Sequence, residues 1–239
     1  MDHLQAHHDD ATAALVRASK GPPIKLEQLQ GYWDAAYAFM RPTRTSLEAL
    51  IADAPRPVEQ KVVAEPHQEA LEGDEHAPKV DELRQHQDEL HRKIDTIEET
   101  LLLAAPFADT SYTLAYVFMR RADLFRYRNK FGVSDEGPEM LLVKADELYS
   151  MADRLSEPYG SHKPISVECA INHAVLMLDQ KKKQAAFAHL QVALTALRHS
   201  ERLLGIGAKG ESKVLKDVLK RNLEVAREDI EETNGDNQY

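Results

Sequence analysis

Cysteine, glycine, proline and aromatic side chains are all scarce in this chain, and each scarcity removes a class of protein. A single cysteine among 239 residues, Cys169, excludes an intramolecular disulfide framework and makes a reducing, cytoplasmic setting the expectation. Ten glycines and eleven prolines leave long uninterrupted stretches, and no run of alternating Val, Ile or Thr offers a strand. No apolar stretch reaches the roughly 18 residues that a membrane span needs. The first twenty residues, with His3, His7, His8, Asp9 and Asp10, lack the apolar centre of a secretory signal. Membrane insertion is not expected. The 30 Lys and Arg are outnumbered by 40 Asp and Glu, and a net charge of −10 argues against broad binding to nucleic acid or anionic membrane.

Catalytic signatures are missing too. The eleven histidines include no His-Glu-x-x-His, and neighbours such as His7 and His8 point in different directions on a helix, so no metal site is expected. Cys169, beside Ala170 and Ile171, reads as a small buried hydrophobe rather than a nucleophile. There is no phosphate loop, dinucleotide fingerprint or Gly-x-Ser-x-Gly elbow; Gly205-Ile206-Gly207 follows a helix, not a strand. Neither an enzyme nor a bound cofactor is expected.

What remains is helix. Ala, Leu, Glu, Lys and Gln dominate, and apolar periodicity predicts helices over 2–18, 25–51, 80–104, 109–131, 138–156, 165–180, 184–204 and 211–231. The breaks fall at Gly21-Pro22-Pro23, Pro106, Gly132, Gly137-Pro138, Pro158 to Pro164, and Gly205 to Gly207, with Ser134 or Asp135 as a cap for the helix that follows. Residues 52–79 carry Pro55, Pro57, Pro66 and Pro78 and few large apolar groups, the composition of a disordered insertion, and 231–239 reads as a disordered tail. The expectation is an all-α single domain spanning 1–239, with eight to nine antiparallel helices that form a concave amphipathic groove.

Two stretches carry most of the functional information. Between Met119 and Phe131 stand Arg120, Arg121, Arg126, Arg128 and Lys130 against one acid, Asp123, the sharpest departure from the acidic background. By itself such a run is either a solvated helix face or a pocket for an anion. Pro164 to Val175 places Asn172 beside an apolar stripe, a position where a purely structural helix would usually carry Leu or Ala.

In order, these segments resemble the 14-3-3 family of phosphopeptide-binding proteins. Arg121-Ala122-Asp123-Leu124-Phe125-Arg126-Tyr127 is similar to the family's fifth-helix pattern Lys-Gly-Asp-Tyr-Tyr-Arg-Tyr, without a gap. Pro164 to Val175 resembles its seventh helix, with Pro164, Ile165, Ala170, Asn172 and Val175 identical, and Val218 to Ala226 resembles its last. From Ser111 to Asp229 the similarity is specific. Before that it is weaker: Ala6 to Asp10, Ala35 to Ser46 and Arg92 to Thr96 can be laid on the second, third and fourth helices. The family's first helix then has no counterpart, and 52–79 becomes an insertion.

The resemblance implies a non-enzymatic adaptor whose partners are phosphorylated protein segments. In the family two arginines and a tyrosine clamp the phosphate, roles that fall here to Arg44, Arg126 and Tyr127, with Arg41 as a supplementary cation. Two asparagines hold the peptide backbone, here Asn172 and Asn222, with Asp179 as the acid of the seventh helix. Ile171, Val175, Val214, Val218 and Val225 would form the apolar wall; Val214, Val218 and Val225 share one helical face at i, i+4 and i+11, a spacing that ordinary core residues also adopt. There are departures. Tyr37 and Met119 stand where the family has groove lysines, Lys130 where it has an acid and Ala226 where it has a tryptophan, and Pro42 is expected to distort the helix between Arg41 and Arg44. The family forms dimers; of its cross-subunit ion pairs only Asp10 with Lys93 could persist, so a homodimer would be weakened or rearranged. The rival reading is a tetratricopeptide-like scaffold for unmodified peptides or acidic termini, with phosphate recognition lost.

Overall fold

Helix boundaries follow local chemistry closely. The computed structural model describes residues 2–18, 21, 23–53, 77–203 and 211–235. Among them are eight α-helices: α1 (Asp2–Ala18), α2 (Leu26–Asp53), α3 (Ala77–Ala104), α4 (Ser111–Phe131), α5 (Pro138–Ser156), α6 (Pro164–Asp179), α7 (Lys183–Leu203) and α8 (Glu211–Gly235). Of the expected insertion 52–79, residues 52–53 and 77–79 belong to helices, and 54–76 lie outside the described residues. The last helix runs to Gly235, four residues past its expected end, and the rest of the expected tail, 236–239, also lies outside them.

At the start of α4 the Thr110 hydroxyl accepts the Thr113 amide at 3.1 Å, satisfying one of the donors a helix start leaves open. Its end is set by Gly132, whose φ of 62° is the left-handed conformation that closes a helix, and the Val133 amide reaches back to the Arg128 carbonyl at 3.0 Å. The expected cap at Ser134 or Asp135 is corrected: Gly137 is the cap residue of α5 and Pro138 its first residue, where a missing amide costs nothing. Ser134 instead accepts the Glu136 amide at 3.1 Å and shapes the turn. Pro42 does not break α2, which continues unbroken to Asp53. Beside it, Lys93 of α3 donates to the Phe39 carbonyl at 3.2 Å and to the Thr43 hydroxyl at 2.7 Å, so a neighbouring helix supplies donors around the turn that has lost an amide.

The helices make one compact all-helical domain. Two apolar clusters fill it, and α6 is common to both. Ile165, Cys169 and Leu176 pack into the larger cluster with residues of α1 to α5; Val167, Ala170, Ile171 and Ala174 pack into the smaller one with α7 and α8. Fully buried leucines such as Leu29, Leu47, Leu90 and Leu101 each contribute roughly 1.5–3 kcal/mol of burial. Between α1 and α2, Ile24 pairs with the chain beyond α3: its amide donates to the Phe107 carbonyl at 2.7 Å and its carbonyl accepts the Asp109 amide at 3.0 Å. That pairing fixes α2 against the entry to α4, which bears on the site because Arg44 rides on α2 and Arg126 on α4.

Candidate functional site

The basic residues of α4 are not a solvated face. Arg120 donates to Asp123 at 3.0 Å and to Glu168 at 2.6 Å, and its guanidinium lies over Trp33 and Tyr116. Arg128 bridges Glu98 and Asp95, each at 2.6 Å, Arg121 reaches Glu98 at 3.2 Å, and Lys130 pairs with Glu48 at 2.7 Å. Four of the five cations are therefore spent on carboxylates. Arg126 is the exception: among the described residues it has no carboxylate partner, only a long 3.5 Å hydrogen bond to the Asn172 carbonyl.

Arg44 reaches the same place from α2. Its guanidinium carbon sits 4.2 Å from the centre of the Tyr127 ring, with Tyr37 at 5.0 Å and Phe131 at 5.9 Å. Arg126 approaches the same Tyr127 ring at 5.8 Å. Stacking on aromatic faces holds a guanidinium without consuming its donors. Accordingly, Nε and Nη1 of Arg44 are buried and have no hydrogen-bond partner among the described residues. Arg44 and Arg126 thus each lie against the Tyr127 ring, and Tyr37 offers Arg44 a second ring face.

Behind them is a buried acid, Asp123, only 1% exposed. It accepts from Arg120, from the Tyr149 hydroxyl at 2.6 Å and from the Asn172 amide at 3.1 Å. Burial, together with the Asp123 charge, pushes the Tyr149 phenol well above its ordinary range, so it stays a neutral donor. For Arg126 burial opposes the charge, but its surroundings, with the carboxylates of Asp123 and Asp179 among them, outweigh it and hold the guanidinium more firmly protonated than usual. The Tyr127 phenol is raised by burial and then by Asp123, while Arg44 and Arg126 pull it down. Asp179 is raised by burial against the pull of Arg126 and Lys130. Glu48 is lowered by its bond to Lys130 and, more weakly, by Arg44.

The other sequence candidates are placed less uniformly. Asn172 is fixed by Asp123. Asn222 donates to the Val218 carbonyl of its own helix at 2.9 Å. Ile171 is buried in the smaller cluster and Val218 packs on its edge, whereas Val214 and Val225 are 62% and 46% exposed. Val175 is half-buried and Arg41 exposed. No hydrogen bond, ion pair or ring contact among the described residues joins Asn222, Val214 or Val225 to the Arg44–Arg126–Tyr127 cluster. Met119 is fully buried and packs in the larger apolar cluster. Asp10 is exposed, while Lys93 is 9% exposed and held inside its own chain by Glu89, Thr43 and the Phe39 carbonyl.

Reading along the sequence did not find the Asp123 hub, although a lone acid in a basic run was its signal. Nor did it find a second polar cluster across α6, where His173 meets Asp146, Asp153 and His189. Those residues come from three helices and form no local motif. No protein-family model matches the chain, and no curated protein matches it.

Proposed function

We propose that the protein is a non-enzymatic adaptor that binds phosphoserine- or phosphothreonine-containing segments of other proteins, with Arg44, Arg126 and Tyr127 receiving the phosphate. The observation that carries the reading is that two guanidiniums from different helices lie against the one Tyr127 ring, with Nε and Nη1 of Arg44 left unpaired among the described residues. Leaving a buried donor unpaired costs about 1–3 kcal/mol. An anionic ligand relieves that cost on arrival. A phosphate monoester suits the pocket because it brings close to two negative charges and several acceptor oxygens, and guanidinium forks match it with paired, charge-assisted bonds. The other cations of α4 are already paired with carboxylates, which leaves Arg126 as the one on that helix open to an anion.

Asn172 lies beside Arg126 and is oriented by Asp123, which suits it to meet the backbone of an extended peptide. Exposed Val214 and Val225 on α8 offer apolar contacts of the kind such a peptide's side chains would cover. Any chemical output belongs to the bound client, which the adaptor holds or masks.

The test is fluorescence anisotropy with a phosphoserine peptide and its unphosphorylated twin on the purified full chain. Micromolar or tighter binding of the first and none of the second is expected. Equal binding of both rejects the reading in favour of a scaffold for unmodified peptides.

A further inference from the structure

Next to Asn172 on α6, His173 belongs to a cluster that the phosphate reading does not use. His173, 5% exposed, has its Nδ1 3.3 Å from Asp153 Oδ2 and its Nε2 3.0 Å from Asp146 Oδ1. His189, from α7, brings its ring to 5.3 Å from that of His173, edge to face, with Nε2 4.0 Å from Asp153 Oδ2. One ligand atom from each of Asp153, His173 and His189 lies within 4.8 Å of the others. We propose that Asp153, His173 and His189 form a binding site for one divalent transition-metal ion, zinc fitting best, with Asp146 as the carboxylate that orients His173.

Four observations support it. The first is spacing: zinc bonds of about 2.0–2.1 Å set tetrahedral ligand atoms about 3.3–3.4 Å apart. The His173–Asp153 edge already has that length; the His189–Asp153 edge, at 4.0 Å, and the His173–His189 edge, within 4.8 Å, must close as the ion binds. The second is the donor set. Two imidazoles and one carboxylate suit zinc, and three protein ligands leave a fourth position for water. Third, the imidazole of a metal-bound histidine typically gives its other nitrogen to a carboxylate, the place Asp146 takes here. Fourth, Nε2 of His189 is buried without a hydrogen-bond partner among the described residues, so the nitrogen that faces Asp153 is not engaged elsewhere. A cavity of about 520 Å³, lined by Asp153, His189, Ser156, Ser166 and Glu157, gives an ion a way in and room for its water.

The competing account is an imidazolium at His173 bridging two acids, which explains three of the residues and leaves His189 Nε2 orphaned. Zinc would displace the proton shared between His173 and Asp153, so uptake releases protons. The site is independent of Arg44 and Arg126, and the two proposals fail separately.

The full chain, stripped with a chelator and dialysed, is titrated with Zn²⁺ by calorimetry and by competition with a chromophoric chelator. One tight site per chain is expected. Asp146→Asn should weaken it about ten- to hundredfold, and His189→Gln or Asp153→Asn by at least about a hundredfold. Exposed His3 and His7, four apart on α1, are the place where adventitious zinc would sit, and changing both to Ala should leave the tight site intact. Circular dichroism confirms that each variant is folded. Absence of a stoichiometric site, or wild-type affinity in both His189→Gln and Asp153→Asn, overturns the proposal.

Discussion

Neighbouring residues of α6 serve two polar clusters of opposite character: Asn172 turns to Asp123 and Arg126, and His173 turns to Asp146, Asp153 and His189. On the first side Arg44 holds donors that no acceptor among the described residues meets. On the second, carboxylates and imidazole lone pairs hold acceptors in excess. In a chain with a net charge of −10, most of the basic residues on α4 are cancelled where they stand and Arg126 is not. Ligand preference follows the local surplus and not the total. Tyr149 touches both sides, with its ring 5.4 Å from His173 and its hydroxyl on Asp123.

Removing the hub of the first side should do most damage. Asp123→Ala leaves Arg120 and Asn172 without their buried acceptor and should destabilise the protein by about 3–5 kcal/mol in urea denaturation. A loss well under 1 kcal/mol would mean that Asp123 is not what holds this side together. Tyr149→Phe keeps the ring on His173 but deletes the hydroxyl, and should cost about 1–3 kcal/mol while leaving the zinc titration unchanged. Weaker zinc binding in that variant would show the two sides to be coupled.

Arg44→Lys keeps a charge but loses the planar stack on Tyr127 and the paired donors, so phosphopeptide affinity should fall about tenfold in anisotropy titrations. Unchanged affinity would mean that charge alone matters. Asp179→Asn should have the smallest effect. Because burial raises this carboxyl above its unfolded value, the native state binds its proton more readily than the unfolded state does. Its contribution is present at low pH and lost as pH rises through the folded value, so the Asn variant should be slightly the more stable at neutral pH and show a flatter profile in the acid range. It should also bind the phosphopeptide about two- to fivefold tighter, the size of a partly solvated charge contact.

Much of the fold is written locally. Proline and glycine breaks and apolar periodicity place all eight helices, most ends within three residues, because helix starts and stops depend on near neighbours. Pro42 is the instructive failure: α2 runs through it unbroken, and Lys93 of another helix packs there, donating to the Phe39 carbonyl and the Thr43 hydroxyl. The same limit governs the site. Arg126 and Tyr127 are legible as a motif, but nothing near Arg120, Arg121, Arg128 or Lys130 in sequence says that Glu168, Glu98, Asp95 and Glu48 would neutralise them. Met119, expected at a groove, lies in the core for a similar reason, since burial is decided by the helices packed around it.

The most direct measurement is the ratio of affinities for a phosphoserine peptide and its unphosphorylated twin in the wild type, Arg44→Ala and Arg126→Ala. If both guanidiniums grip one monoester, the ratio is large in the wild type and collapses toward one in each variant. A wild-type ratio in either variant would contradict the account.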